Sequence, residues 1–396
     1  MTETNKKTCQ FEIKDNHYKC PEPPLEDSEK GYCIFHEPRA DKDIQKFYEG
    51  IKRKLSKKDY DFRGYWFPAR ISFDKPYIFA GETIFDDCIF KEMADFTGFT
   101  FKGNANFGGS AFEGGCRFAE STFEGWANFI ECIFKETANF ESCVFKGDAQ
   151  FAGSTFEGWT NLAGCWFERW TNFTECTFKR ETAFFWSTFK GRTNFTECTF
   201  EGYTNFRECT FEGVIYLDHI KIKKPTNMDI LFREAKVLWH RGGNYVEEGK
   251  AHYQEMDYIR KQKNWFIRYV WANLFHRLLH GYGEKPHRVI FGAAAIITVC
   301  ALLFMNFGIG ETRSFGATFP TYNILKILFK LYDLSLTDLA NIGRYFYFSV
   351  VTFTTLGYGD LRPVHPISHL ISSIEAFVGM FMMALFVLTF GRKWRR

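Results

Sequence analysis

The segment 354–360 has residue types and a spacing that suit it to hold a cation with backbone oxygen atoms. It consists of Thr354, Thr355, Leu356, Gly357, Tyr358, Gly359 and Asp360. Carbonyl groups that all point at one axis require backbone angles that residues with a Cβ atom resist, whereas glycine adopts positive φ without that penalty. Gly357 and Gly359 therefore permit such a backbone, and the hydroxyl of Thr355 can add an oxygen at the inner end.

A simple glycine–tyrosine turn is the alternative interpretation of this segment, and the flanking sequence argues against it. Residues 345–353, just before it, are aromatic and apolar but too short to cross a bilayer, which takes about 20 residues. Two apolar stretches that are long enough, 289–307 and 367–390, lie on either side. Irregular backbone at membrane depth is tolerated only where it lines a cavity. A re-entrant helix and a ligand loop between two spans therefore fit this sequence.

This order of segments resembles the pore module of two-transmembrane potassium channels over residues 285–396, and the glycine–tyrosine loop resembles the selectivity filter of that family. The resemblance implies that K⁺ is the permeant ion, that carbonyl oxygens of residues 355–359 replace its hydration shell, and that four identical chains surround one axis. It further implies that Tyr358 braces the loop from behind and that Asp360 lies at the outer mouth. Leu356 stands where the family most often has valine; because its side chain should face away from the ions, selectivity is expected to persist.

The second span contains two residues, Gly379 and Glu375, whose presence is not explained by contact with lipid. Gly379 lies twenty residues after Gly359 and matches the gating hinge of the family, where an inner helix can bend. A glycine that only allows close helix packing is the alternative. Glu375, near the outer end, is costly in lipid and should face the pore module or a neighbouring subunit. No arginine-rich helix precedes residue 289, so voltage sensing of the usual kind is not expected.

The charges around the spans predict the orientation of the chain. Lys285 and Arg288 precede the first span, and basic residues follow the second at 392, 393, 395 and 396. The positive-inside rule then places both termini in the cytosol. We expect an integral membrane protein surrounded by lipid, in a prokaryotic cell membrane. Because the N-terminus is polar and carries no secretory signal, the 12 cysteines are expected to stay reduced.

Residues 79–222 carry an internal repeat of eleven residues, which explains the high phenylalanine content of 48 in 396 residues. Phenylalanine recurs at alternating steps of five and six, and a small residue precedes nearly every one by two positions. Neither a helical period nor strand alternation gives that rhythm, whereas a solenoid does, because large and small inward residues then stack from coil to coil. The pattern resembles the pentapeptide-repeat family, which implies a right-handed, four-sided β-helix of about six coils.

Other features of the repeat are explained by packing or leave two interpretations open. Its cysteines at 88, 132, 143, 165, 176, 198 and 209 share the small inward position, where buried thiols act as small apolar groups. Four outward aromatics could mark a surface for a cytosolic protein partner or could pack locally: Trp126, Trp159, Trp170 and Tyr203. Between 79 and 213 there are 11 Lys and Arg against 20 Asp and Glu. Some proteins of this family are acidic rods that mimic DNA, but a membrane-tethered copy is an awkward place for that role, and no nucleic acid partner is expected.

The N-terminal residues 1–40 contain four soft ligands in a polar segment that has little apolar material. A structural zinc site of the Cys₃His type could form from Cys9, Cys20, Cys33 and His36. A bound Zn²⁺ ion could then supply the folding energy that the segment lacks. A disordered tail with incidental thiols is the alternative, and His17 is a competing ligand.

Two further segments connect these regions. In residues 41–78 the pattern predicts a short amphipathic helix. It is followed by a coil, with apolar residues at 65–68 and 71–73, which is expected to cap the solenoid. Residues 223–286 predict a helical hairpin, which packs on the end of the rod or on a neighbouring subunit, and then an interfacial helix that couples to the first span. An ordinary amphipathic core helix is the alternative for this last element.

The predicted fold is multidomain α and β: a cytosolic right-handed β-helix, a helical hairpin linker, and an all-α two-span pore domain. The pore domain covers 287–396, with the re-entrant helix and filter at 345–360. The predicted function is a potassium-selective channel subunit whose solenoid serves assembly, gating or partner binding. A membrane-anchored scaffold with a vestigial pore is the alternative. No nucleophile–base pair or phosphate-binding loop supports an enzyme.

Overall fold

The structure is a computed structural model that describes residues 8–13, 18–72, 77–224, 227–262, 286–311 and 336–394. The chain divides into two compact units, Met1–Glu255 and Met256–Arg396. The first contains a parallel β-solenoid, and the second contains helices with the composition of membrane spans. The predicted combination of a right-handed-type β-solenoid, further helices and a two-span helical region is confirmed.

Four parallel sheets of two-residue strands form the faces of the solenoid. Each strand pairs with the one 22 residues further along, as Ala105 with Ala127 shows, except that Trp66 and Ile71 pair with Ile89 and Ala94, one residue further. The first face contains Trp66–Phe67, Ile89–Phe90, Ala111–Phe112, Ile133–Phe134, Thr155–Phe156, Thr177–Phe178, Thr199–Phe200 and Lys221–Ile222. The second contains Ile71–Ser72, Ala94–Asp95, Cys116–Arg117, Ala138–Asn139, Thr160–Asn161, Thr182–Ala183 and Thr204–Asn205. The third contains Ile78–Phe79, Thr100–Phe101, Thr122–Phe123, Val144–Phe145, Trp166–Phe167, Thr188–Phe189 and Thr210–Phe211. The fourth contains Thr83–Ile84, Ala105–Asn106, Ala127–Asn128, Ala149–Gln150, Thr171–Asn172, Thr193–Asn194 and Ile215–Tyr216.

The solenoid begins earlier than the sequence pattern predicts and has about 7 turns where about six coils are expected. The residues expected to form a capping coil are strands instead. Trp66–Phe67 pairs in register with Ile89–Phe90, and Ile71–Ser72 pairs with Ala94–Asp95. The first coil lacks the five- and six-residue spacing of phenylalanine because its outer edge packs on the N-terminal segment and not on another coil. Its strands still pair with the next coil, since backbone hydrogen bonds do not require that spacing.

Stacked phenylalanine rings fill the interior of the solenoid. Phe107 stacks on Phe129 with ring centroids 4.9 Å apart, and Phe129 stacks on Phe151 at 5.0 Å. Within one coil the rings meet edge to face, as Phe118 and Phe129 do at 5.3 Å. All four side chains are fully buried. Aromatic pairs in these geometries contribute about 0.5–1.5 kcal/mol beyond the area they bury, so the ladder explains the phenylalanine content without a ligand.

The small inward positions of the repeat supply hydrogen-bond donors as well as the right volume. Cys165 Sγ donates to Phe140 O at 3.0 Å, and Ser187 Oγ donates to Leu162 O at 2.6 Å in the equivalent position. Ser187 Oγ also accepts a hydrogen bond from Cys165 N at 3.0 Å. Burial raises the pKa of the Cys165 thiol, which keeps it protonated as a donor. Cysteine and serine are therefore interchangeable here because each fits and each donates to a carbonyl of the preceding coil.

Replacing Cys165 by serine is expected to change the stability of the solenoid little, whereas replacing it by alanine should lower it. Alanine removes the hydrogen bond to Phe140 O, and one such bond contributes about 0.5–1.5 kcal/mol. Thermal unfolding of the purified full-length protein, followed by the fluorescence of its tryptophans, measures the difference. Equal melting temperatures for the two variants would show that the inward position requires small volume alone.

A half-buried carboxyl group lies at one end of a row of amides on the solenoid surface. Asp86 Oδ2 accepts a hydrogen bond from Asn106 Nδ2 at 2.6 Å, and Asn106 Oδ1 accepts one from Asn128 Nδ2 at 2.6 Å. Burial raises the pKa of Asp86 to about 6, and the nearby Asp87 carboxyl adds to this effect. Because the charged form is disfavoured in the folded state, Asp86 reduces stability once it is ionised.

Replacing Asp86 by asparagine is therefore expected to stabilise the solenoid at pH 7. With aspartate, the folded state binds more protons than the unfolded state between pH 3.8 and about 6, so stability falls as the pH rises through that window. Asparagine can accept the same bond from Asn106 and does not titrate. Melting temperatures measured from about pH 4.5 to about pH 7.5, which cover the upper part of this window and the range above it, should show that the advantage of Asp86→Asn grows with pH up to about 6 and then levels off. A constant difference across the series would contradict this account.

Helices cover the two ends of the solenoid. Helix α1, Ile44–Ser56, begins after Asp43, whose Oδ1 accepts a hydrogen bond from Lys46 N at 3.0 Å, and it buries Phe47 and Ile51. An N-cap of this kind stabilises a helix by about 0.5–2 kcal/mol. This helix and the N-terminal segment lie beside the first coil, as the contact of Phe47 with Phe67 at 5.5 Å shows.

The last coil is covered by a helical hairpin of α2, Met228–Arg241, and α3, Tyr245–Gln262. Trp239 Nε1 donates to Ile215 O and Gln254 Nε2 donates to Leu217 O, both at 2.9 Å. The hairpin therefore packs on the end of the solenoid, which is one of the two locations that the sequence left open. The interfacial helix predicted after it lies outside the described residues.

The second unit contains three long helices and a small antiparallel strand pair. Helix α4 is Pro286–Phe307, α5 is Leu336–Phe353 and α6 is Pro366–Trp394. The strands Ile309–Glu311 and Leu361–Pro363 pair at the ends of α4 and the loop after α5. A separate two-residue strand pair, Glu12–Ile13 with Tyr18–Lys19, belongs to the N-terminal segment.

Two helices among the described residues are long and apolar enough to cross a membrane, and they coincide with the two predicted spans. These are His287–Phe307 within α4 and Pro366–Gly391 within α6. Helix α5 begins nine residues before the predicted position 345, because its first turns are polar and an apolar pattern does not mark them. Between the spans, the spacing of Ile324, Leu325, Leu328 and Leu331 predicts a short amphipathic helix. These residues fall in 312–335, outside the described residues.

Candidate ion pore and candidate metal centre

The loop that follows α5 alternates in backbone handedness. Thr355, Gly357 and Gly359 have φ values of 57°, 58° and 74°, and Leu356 and Tyr358 between them have negative φ. Alternating handedness brings successive peptide dipoles to the same side of a chain. Positive φ at the two glycines is what their types predict. Positive φ at a β-branched threonine is unusual and costs about 1–3 kcal/mol, and sequence reasoning missed it.

A hydrogen bond ties the C-terminal end of this loop to α5. Tyr347 OH donates to Asp360 Oδ2 at 2.8 Å. The bracing role was expected for Tyr358, but its side chain is 68% exposed in a single chain. Tyr347 was missed because it lies in an apolar run, although a tyrosine hydroxyl in such a run usually needs a polar partner. Asp360 lines the same pocket as Glu311 and Arg344, and there Arg344 Nη1 lies 3.9 Å from Glu311 Oε1.

Ser349 on α5 joins the three long helices of this unit. Its Oγ lies 2.9 Å from Ile297 O on α4 and also contacts Glu375 Oε1 on α6. The serine hydroxyl has one proton and Ile297 O can only accept, so a proton on the Glu375 carboxyl lets both hydrogen bonds form. Both side chains are buried. Glu375 therefore faces the pore module, as the cost of a carboxylate in lipid predicts.

Gly379 lies within the continuous helix α6 and touches the backbone of α5. A Cβ atom at this position would lie 1.9 Å from Phe353 O and 2.7 Å from Phe353 C. Backbone atoms cannot move aside as the end of a flexible side chain can, so this contact requires glycine. The packing alternative thus has direct structural support, and bending of α6 at Gly379 stays a prediction.

Four ligand atoms converge in the N-terminal segment. They belong to Cys9, Cys20, Cys33 and His36, which we call the Cys₃His cluster. All four side chains are buried, and the ligand atoms lie within 4.8 Å of one another. Sequence reasoning named this set, and the structure brings all of it together. The competing ligand, His17, lies outside the described residues.

The distances within the Cys₃His cluster are those of groups that share a small volume. Cys20 Sγ lies 3.8 Å from Cys33 Sγ, and His36 Nδ1 lies 3.6 Å from Cys9 Sγ and 3.2 Å from Cys33 Sγ. Hydrogen bonds with Cys20 and Cys33 lower the pKa of Cys9, and those with Cys20 and Cys9 raise the pKa of Cys33. Three thiols and an imidazole in this arrangement can bind a soft or borderline metal ion.

A buried lysine lies next to the cluster and was not singled out from the sequence. Lys42 Nζ donates to Ile34 O at 2.8 Å, to Glu37 O at 3.0 Å and to Trp66 O at 2.7 Å. Burial lowers the pKa of Lys42 to about 7. Its bonds connect the loop that carries Cys33 and His36 to the first strand of the solenoid. A lysine in a polar stretch gives no sequence signal for such a role.

The outward aromatics of the repeat do not form one continuous strip. Trp126 and Trp170 directly precede strands of the fourth face, whereas Trp159 and Tyr203 precede strands of the second face. The chain visits the four faces in turn, so these two faces are opposite each other. All four side chains are about 40% exposed. The four aromatic residues share one position in the repeat but form two separate pairs, one on each of two opposite faces.

Comparison with known protein families agrees with this geometry. Residues 318–396 match a family model described as ion channel, and 78–122, 118–166 and 167–210 match one described as pentapeptide repeats (9 copies). The first match includes α5, the loop after it and α6; the second lies within the solenoid. The comparisons with curated proteins and with solved structures gave no significant match.

The fold and these matches define a membrane protein with an ion-channel domain. The chain combines a C-terminal region that matches the ion-channel model and contains two helices able to span a membrane with an N-terminal solenoid that matches pentapeptide repeats. An ion-channel domain implies embedding in a membrane and oligomeric assembly. Both matched families are of non-enzymatic kinds.

Proposed function

We propose that this chain is a subunit of a potassium-selective channel, in which four copies place their 355–359 loops around a common axis. The observation that carries the proposal is the alternating backbone of the loop, with positive φ at Thr355, Gly357 and Gly359. A backbone of this kind offers successive carbonyl oxygens on one side. Rings of such oxygens are the ligands that replace the hydration shell of K⁺ in a selectivity filter.

The exposed side chains and open space beside the loop are consistent with neighbouring copies of the chain packing against it. Leu356 is 60% exposed in a single chain, and an alanine Cβ at Gly359 would have no atom within 4 Å. One loop cannot surround an ion, and large apolar side chains next to a water-filled axis are covered when neighbouring chains pack against them. Four copies satisfy both requirements.

The direction of α5 favours a cation at the loop. The helix ends at Phe353, directly before 354–360, so its C-terminal end lies beside the ligand loop. That end carries a partial negative charge of roughly half an elementary charge. Four such ends around one axis would lower the energy of a dehydrated K⁺ ion in the adjoining cavity.

The proposed orientation has both termini in the cytosol of a prokaryotic cell. It rests on the basic residues Lys285 and Arg288 before the first span and on those at 392, 393, 395 and 396 after the second. Basic residues next to spans stay preferentially on the cytoplasmic side. The solenoid then lies in the cytosol as well.

The proposed role of the solenoid is assembly, gating or binding of a cytosolic protein partner. Its motivation is the covalent path from the last coil through α2 and α3 to the first span, because force on the hairpin can pass along that path. A chain without residues 1–217 that assembled fully and kept its open probability would exclude the assembly and gating roles.

Flux measurements on the purified full-length protein test the proposed function. Reconstituted in liposomes, the protein should pass K⁺ much faster than Na⁺, whereas protein-free liposomes should pass neither. Equal flux of the two ions would contradict potassium selectivity. An intact, reconstituted assembly that passes neither ion under any condition would favour a membrane-anchored scaffold with a vestigial pore.

A further inference from the structure

We propose that the Cys₃His cluster binds one Zn²⁺ ion, and that this ion holds the N-terminal segment as a cap on the first coil of the solenoid. Such a metal site would stabilise the solenoid whether or not the chain conducts ions. It rests on the distances between the ligand atoms, on their surroundings, and on the contacts that join the cluster to the first coil.

The spacing of the ligand atoms fits tetrahedral coordination. With Zn–S bonds of about 2.3 Å and Zn–N bonds of about 2.0–2.1 Å, tetrahedral geometry separates two sulfur atoms by about 3.8 Å and a sulfur from a nitrogen by about 3.5 Å. The pair Cys20 and Cys33 lies at 3.8 Å and the pair Cys9 and His36 at 3.6 Å. Cys33 and His36 lie closer, at 3.2 Å, and no two ligand atoms are more than 4.8 Å apart, so small shifts complete the tetrahedron. A disulfide between Cys20 and Cys33 would need sulfur atoms about 2.05 Å apart.

The surroundings orient the ligands for a metal ion. His36 Nε2 lies 2.9 Å from Arg63 O, which can only accept, so the proton is on Nε2 and Nδ1 presents its lone pair to the cluster. Cys33 N donates to Cys9 Sγ at 3.1 Å, a contact that favours a thiolate. Phe11 stacks on the His36 ring with centroids 4.0 Å apart and limits its rotation.

The cluster is joined directly to the edge strand of the solenoid. Trp66–Phe67 is the first strand of its sheet, and within the described part of the chain no strand precedes it to pair with. Trp66 N instead donates to Phe35 O at 2.8 Å, and Phe35 lies between two residues of the cluster. Exposed strand edges invite pairing with other chains, so solenoids need a cap at each end.

An aromatic column continues from this loop into the phenylalanine ladder. Phe35 stacks on Tyr65 at 4.6 Å, Tyr65 meets Phe62 edge to face at 5.8 Å, and Phe62 stacks on Phe85 at 4.7 Å. Phe85 belongs to the regular ladder. The position of Phe35 thus decides whether the end of the ladder is covered, and the metal ligands on either side of Phe35 decide its position.

Backbone hydrogen bonds, such as Gln10 N to Gly31 O at 3.0 Å and Leu25 N to Tyr32 O at 2.8 Å, help to hold the residues before the loop, but these residues contain little regular structure. Their regular structure among the described residues is the strand pair Glu12–Ile13 and Tyr18–Lys19, which is too short to be stable alone. A metal ion that links Cys9 and Cys20 to the loop supplies the missing constraint, as structural zinc does in small domains. Lys42 Nζ, which donates to Ile34 O at 2.8 Å and to Glu37 O at 3.0 Å, adds a second link that fixes the loop carrying Cys33 and His36.

Metal analysis of the full-length protein, purified without a histidine tag, tests metal binding. We expect roughly one zinc per chain, and replacement by Co²⁺ should give the thiolate charge-transfer and visible bands of a tetrahedral site. Cys33→Ser should lose the metal. Cys176→Ser, the same change at a buried repeat position, is the matched control and should keep it. Absence of zinc, another metal in its place, a disulfide between Cys20 and Cys33, or full zinc content in Cys33→Ser would overturn the proposal.

Limited proteolysis tests the capping role and does not require a variant to fold. A chelator added to the wild-type protein should make the N-terminal segment accessible to protease, while the repeat coils stay resistant, and added Zn²⁺ should restore protection. If the chelator removes zinc but the cleavage pattern does not change, the ion does not hold the cap.

Discussion

Replacing Gly379 by alanine is expected to prevent α6 from packing against the end of α5 and to abolish K⁺ flux. The new Cβ atom would lie 1.9 Å from Phe353 O, whereas ordinary contacts are 3.4–4 Å, so the helices would have to separate by about 1.5 Å. Phe353 directly precedes the ligand loop. A displacement of this size at its backbone would therefore pass into the residues that coordinate the ion.

This result would separate the two interpretations of Gly379. If the residue serves only as a hinge, alanine should leave assembly intact and change the open probability, because a stiffer helix bends less easily. If it serves packing, alanine should reduce the yield of assembled protein or its thermal stability, together with the flux. Size-exclusion chromatography in detergent and flux in liposomes measure the two effects.

Gly391→Ala is the matched control for this experiment. Gly391 lies in the same helix, and a Cβ atom there would meet nothing within 4 Å. Its replacement should leave assembly and flux unchanged. A Gly379→Ala protein with wild-type assembly and stability would contradict the packing account, whatever its open probability.

The solenoid could be predicted from sequence because its fold is specified locally and repeatedly. Each phenylalanine and each small residue occupies an equivalent environment, so the rhythm alone sets which residues point inward and which strands pair. The first coil was missed because its environment differs: Trp66 pairs with the N-terminal segment on one side, through Phe35. A period in the sequence cannot report a contact that occurs only once.

The candidate sites were predictable to a similar extent. The ligand types of the Cys₃His cluster and the glycines of the loop could be read directly, since chemistry restricts both to few residue types. Lys42 and the pair of Tyr347 with Asp360 could not be found, because each depends on which segments meet in three dimensions. The close contact of Gly379 with Phe353 belongs to the same group, because sequence cannot distinguish a hinge glycine from a packing glycine.

Replacing Gly357 by alanine is expected to abolish selective K⁺ flux while the two spans stay folded. Gly357 has a φ of 58°, and a Cβ atom in the left-handed region costs about 1–2 kcal/mol. The proposed pore contains this residue four times, and the loop already carries the strain of Thr355 at positive φ. The strained backbone is expected to relax to negative φ, which turns a carbonyl group away from the axis.

Gly343→Ala is the matched control for this change. Gly343 lies in α5, its φ is negative, and a Cβ atom there would meet nothing within 4 Å. In a helix interior alanine is favoured over glycine by about 0.8–1.0 kcal/mol, so this variant should keep the flux and the ion preference of the wild type. Flux of K⁺ and Na⁺ from liposomes, with assembly checked by chromatography, measures both variants. Wild-type flux and selectivity in Gly357→Ala would mean that the loop does not use its left-handed backbone to hold the ion, and the carbonyl-ligand account of the pore would have to be abandoned.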